Sequence, residues 1–146
     1  MLMTFLVLLI CKAEGTLLRG KYLTSEGKLS ATLTLKDVQG GFAGFTGIIW
    51  TVRPDGSWDR KQIVGRATRK LDLNGKLNAK QLQQIADVLA HAQMNKLPVR
   101  LGKFRGANPH MVTLTWGKRQ CVWTLPPGMP VPRYPDQPFG KLTDED

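Results

Sequence analysis

Histidine and cysteine are scarce in this chain, two of each among 146 residues. Cys11 and Cys121 form no C-x-x-C pair and no zinc spacing. His91 and His110 belong to no H-E-x-x-H pattern and have no third ligand at useful spacing, so a metal centre is not indicated. A G-x-S-x-G elbow, a P-loop and a dinucleotide fingerprint are all missing. Carboxylates are few, 11 against 21 Lys and Arg, and most belong to turns, such as Asp55, or to the C-terminal end. Asp72 and Asp87 would each need a partner to serve as an acid–base pair. Cys121 and His110 stand in hairpin positions in apolar surroundings, a poor setting for a thiol nucleophile. These absences point to a protein that is not an enzyme and needs no cofactor.

Long hydrophobic runs are also lacking. Leu2 to Ile10 is largely apolar but shorter than the ~20 residues a membrane-spanning helix requires. It ends at Cys11-Lys12-Ala13, which offers small residues at the −3 and −1 positions of a signal-peptidase site, although no Lys or Arg precedes it. Residues 1–13 are therefore expected to be a signal peptide, making the product secreted or periplasmic, and cytoplasmic if the segment is not a signal. Residues 14–127 read as one domain, long enough to bury a core without disulfides. Six of the nine prolines fall from Pro126 onward, so 128–146 is expected to be an extended, polyproline-like tail.

Within the domain the patterns are clear. "LSATLTLKDV" alternates, with Leu29, Ala31, Leu33 and Leu35 on one side, as a half-buried strand does. "FTGIIWTV" is nearly continuous in apolar and β-branched residues, the expectation for a strand buried on both faces. Arg53-Pro54-Asp55-Gly56 has the residues of a type I turn. "SWDRKQIV" returns as a third strand, and "RATRKLDL" is extended as far as a turn signal at Asn74-Gly75. "NAKQLQQIADVLAHAQM" is a helix: Asn78 and Gln81 are spaced as a capping box, and Leu77 and Leu82 as a hydrophobic staple. Leu82, Ile85, Ala86, Leu89 and Ala92 form its apolar stripe, and Asn95 suits a left-handed exit before Pro98. After a basic loop, "HMVTLTW" and "QCVWTL" form a hairpin with Val112, Leu114, Trp116, Cys121, Trp123 and Leu125 on one side. One helix cannot cover both faces of a parallel sheet, so the class is α+β: an antiparallel sheet, one α-helix packed on one face, in the order strand-strand-strand-helix-hairpin.

Charge is abundant and one-sided. The formal net charge is +10, and eleven basic residues against two acidic ones lie between Arg60 and Arg105. Arg66, Arg69, Lys70, Arg100, Lys103 and Arg105 are the candidates for binding a polyanion, a nucleic acid or an anionic envelope polymer. No helix-turn-helix, zinc or RNP pattern accompanies them, and export would make nucleic acid a poor partner.

One stretch stands apart from the packing patterns. In "DVQGGFAGFTGIIWTV" four glycines surround Phe42 and Phe45 between two strands. The turn could tuck Phe42 into the core or offer it to another molecule, since loop tips tend to carry function. The motif Gly40-Gly41-Phe42-Ala43-Gly44, followed by "IIWTV", a Leu/Gln/Ala helix ending in "NKLP", and "VTLTWGKRQCVWTL", resembles the emfourin family over Ala31 to Pro127. Members of that family are small inhibitors of thermolysin-like zinc metalloproteases of the protealysin group. The export signal, the basic middle and the proline-rich extension depart from the family pattern. The resemblance implies a protease partner contacted by Gly40, Gly41, Phe42, Ala43 and Gly44, with Trp58, in the turn from Arg53 to Trp58, as a neighbouring contact.

Overall fold

A computed structural model describes residues 20–102 and 104–127. The expected signal peptide and tail, residues 1–13 and 128–146, lie outside the described residues, as does Lys103. The chain forms β1 (Leu33–Gly41), β2 (Gly44–Val52), β3 (Ser57–Gly65) and β4 (Ala67–Lys76). The helix α1 (Ala79–His91), a 3-10 turn (Met94–Lys96), and β5 (Arg100–Leu101), β6 (His110–Trp116) and β7 (Arg119–Leu125) follow. The seven strands of the described residues make one sheet in the order β4-β3-β2-β1-β6-β7-β5. Every pairing is antiparallel except β5 with β7. The described residues thus form a mostly antiparallel sheet with a single α-helix, an α+β arrangement.

Register sorts the side chains into two faces. Leu33, Leu35 and Asp37 of β1 lie across from Trp116, Leu114 and Val112 of β6, which face Arg119, Cys121 and Trp123 of β7. Most of these share one buried cluster with Leu82, Ile85, Ala86 and Leu89 of α1, closed by Tyr22, Leu29, Met94 and Leu97. Burying a Leu or Ile side chain contributes about 1.5–3 kcal/mol, so this cluster dominates the stability. At the start of α1 the Asn78 side chain accepts from the Gln81 N–H at 2.9 Å, and the Gln81 side chain accepts from the Asn78 N–H at 2.9 Å. Leu77 and Leu82 on either side of the cap are both buried.

Several local expectations need correction. The first strand starts at Leu33 rather than Leu29: the Leu29 N–H donates to the Pro54 carbonyl at 3.1 Å, and its side chain turns into the core. Along β2 only Val52 is buried, and Ile48, Ile49 and Trp50 are half-buried. A 13-residue helix is ~20 Å long, too short to shield a seven-stranded sheet roughly 29 Å wide. Asn74-Gly75 is not a turn, because β4 runs straight through it. A Cβ on Gly75 would lie 2.8 Å from Trp58 Nε1, so this glycine makes room for an indole on the neighbouring strand. The helix ends at His91, and the left-handed residue is Gln93 (φ 47°) rather than Asn95; that turn delivers Met94, fully buried, to the core. The basic loop before the last hairpin contains the short strand β5.

Candidate functional site

The meander places its turns at alternate ends of the sheet. The β1–β2 turn and the β3–β4 turn share one end, and the β2–β3 turn occupies the other. At the first end Gly41 pairs with Gly44, so Phe42 and Ala43 form the apex. Neither apex residue has a positive φ; Gly44 does, at 101°. That pattern is the one in which a residue with positive φ follows a type I turn in a hairpin, and only glycine adopts this φ without strain. Gly40 and Gly41 are therefore strand residues rather than the turn itself. Phe42 stands fully in solvent, 108% exposed, which rules out its role as a cap on the core. Ala43 is exposed as well, and Phe45 at the start of β2 is 38% exposed.

The tip is held from both sides. On one flank, a Cβ on Gly44 would come within 3.1 Å of Gly65 Cα, and a Cβ on Gly65 within 3.1 Å of the Ala43 carbonyl oxygen. Here the β3–β4 turn lies directly against the apex. On the other flank, the Gly40 N–H donates to the Pro109 carbonyl at 2.8 Å, and Gln39 Nε2 donates to the Asn108 carbonyl at 2.6 Å. A Cβ on Gly40 would meet Asn108 Cα and Pro109 Cδ at 3.0 Å. Glycine at 40 and at 44 thus lets two neighbouring segments close on the hairpin and order it. Behind the tip, His110 Nε2 lies 2.6 Å from Asp37 Oδ1, a diagonal link from β6 to β1.

Trp58 is not part of this end. It pairs with Val52, seven register positions along β2 from the Phe45–Gly65 pair, or ~24 Å at ~3.4 Å per residue. There it packs on the core cluster, 5.6 Å from the Trp50 ring, while the Arg60 guanidinium lies 5.0 Å above Trp50. In the adjoining turn the Gly56 N–H donates to the Arg53 carbonyl at 2.9 Å, as the turn signature predicts. Asp55 accepts from the Ser57 N–H and hydroxyl, which holds its carboxyl below the usual range. Arg53 reaches over the same turn to the buried Asp59.

The polyanion candidates among the described residues are not gathered into one patch. Arg66 and Arg69 are exposed at the β4 edge, and Arg100 is exposed on β5 at the other edge. Six inter-strand spacings separate these edges, roughly 29 Å. Arg105 is exposed in the segment leading to Asn108, and Lys70 lies on β4 near Arg69. His110 and Cys121 are also kept apart, since Leu125 is the partner of His110 and Leu114 that of Cys121. Burial pushes the Cys121 thiol up, away from thiolate. Among the described residues no group of three or more His, Cys, Asp or Glu side chains could hold a metal ion. No described helix is long and apolar enough to cross a membrane.

What the sequence reading missed is the β3–β4 turn as neighbour of Phe42. The signal was available in the strand count, because in a meander alternate turns share an end. No protein-family model matches the chain, and no curated protein shows significant similarity to it.

Proposed function

We propose that this protein is an exported inhibitor of a thermolysin-like zinc metalloprotease, with the Gly40–Gly44 tip entering the protease cleft and Phe42 filling an apolar subsite. The observation that carries this reading is a large aromatic side chain, fully exposed, at the apex of a hairpin braced on both flanks. Ordering the loop before it binds reduces the entropy lost on association. Glycines around the aromatic let the backbone approach the walls of a narrow cleft. The sequence resemblance to emfourin supplies the class of partner. Trp58 has no part in this contact.

Phe42→Ala is the direct test, read as inhibition of thermolysin and of a protealysin-group enzyme. Losing an aromatic anchor of this kind removes about 2 kcal/mol or more of binding, about thirtyfold in the inhibition constant. The melting temperature should stay nearly unchanged, because the side chain touches no core residue. A variant that inhibits as strongly as the parent would overturn the reading.

A further inference from the structure

The residues beside Phe42 carry information about the surface it meets. Residues 38–47, 63–68 and 104–111, which form this end of the sheet and its three connecting segments, contain no Asp or Glu. They do contain Arg66, exposed on the β3–β4 turn, and Arg105, exposed in the segment leading to Asn108, and Phe42, Phe45 and Val64 are exposed in the same stretches. The nearest carboxylate on the central strand, Asp37, is bound by His110. Arg66 itself has no ion-pair or hydrogen-bond partner among the described residues. It sits on the β3–β4 turn, whose Gly65 lies in backbone contact with Gly44. The spacing of Arg66 from Phe42 is thus set by two packed turns and not by a flexible linker.

We infer that the partner's cleft carries carboxylates on its rim beside the apolar pocket, and that Arg66 engages them while Phe42 fills the pocket. This rests on the inhibitor reading and adds a determinant of partner choice. An apolar anchor alone would suit any protease with a large hydrophobic subsite. A cation carried on the packed neighbouring turn favours an acidic rim and disfavours a basic one, where like charges would be brought together. Charge at a rim acts mainly on the association rate and makes that rate fall as salt rises.

Stopped-flow or progress-curve inhibition of thermolysin and a protealysin-group enzyme tests this, comparing Arg66→Glu, Arg66→Gln and Arg100→Glu with the parent chain at low and high salt. Arg100→Glu makes the same change in net charge at the far edge of the sheet. Arg66→Glu should slow association by about tenfold at low salt, with Arg66→Gln intermediate and dissociation little altered, and the differences should shrink at high salt. Arg100→Glu should change the rate by less than about threefold, as screening limits a charge so far away. Equal effects of Arg66→Glu and Arg100→Glu, or an association rate insensitive to salt, would overturn the inference while leaving the role of Phe42 intact. A parent chain that inhibits neither enzyme would overturn both.

Discussion

Trp58 and Gly75 show how much can rest on a single missing side chain. The indole lies against the Gly75 backbone on one side and is neighboured by Trp50 on another, so it has little room to move. Gly75→Ala would place a methyl 2.8 Å from Trp58 Nε1 and force the ring or the strand to shift. Overpacking of this kind costs ~1–3 kcal/mol, which thermal unfolding should show as a clear loss. Under the proposed function, inhibition by the folded variant should remain at the parent level, because Trp58 sits at the far end of β2 from Phe42. An unchanged melting temperature would mean that the glycine serves no packing purpose. From the sequence, Asn-Gly reads as a turn because that dipeptide favours one. The residue that determines its use, Trp58, is distant in sequence and adjacent only once β3 and β4 pair.

Elements whose determinants are local were legible in advance. The helix begins where Asn78 and Gln81 place it, since both halves of the capping box lie within one turn. Asn78→Ala should cost ~1 kcal/mol by freeing the Gln81 N–H, visible as a fall of about 4 °C or more in melting temperature. Because the two capping bonds are reciprocal, Asn78→Ala combined with Gln81→Ala should cost less than the sum of the separate changes. Strict additivity would show that the bonds act independently. The β6–β7 hairpin was legible for the same reason, its alternation and its Gly117 turn being contiguous. β5 was not, since two residues carry no period and their partners, Val122 and Trp123, come more than twenty positions later. The apex of the β1–β2 hairpin lay between these cases. Its glycines announced a turn, but which two residues formed it depended on how far β1 and β2 stayed paired.

At the scale of the whole molecule, the first described residues and the last strand meet in one core. Tyr22 and Leu29, α1, and Cys121 and Trp123 belong to the same buried cluster, so neither the segment that carries Tyr22 and Leu29 nor β7 can leave without opening it. Cys121, with none of its surface exposed, is a natural reporter of that opening. In a Cys11→Ser chain, a thiol reagent should reach Cys121 only through cooperative unfolding, ~10³-fold or more slower than in denaturant. Phe42→Ala should leave the rate unchanged, whereas Gly75→Ala should raise it in proportion to the stability lost. The same burial gives a pH dependence of defined sign. The folded-state pKa values of Cys121 and Tyr22 are both raised by desolvation. Their neutral forms therefore favour the fold fully at neutral pH, and stability falls as pH climbs past the ordinary thiol value of ~8.5 and then that of tyrosine at ~10. Native labelling near the denatured rate, or stability that increases between pH 8 and 10, would contradict a single closed core around Cys121.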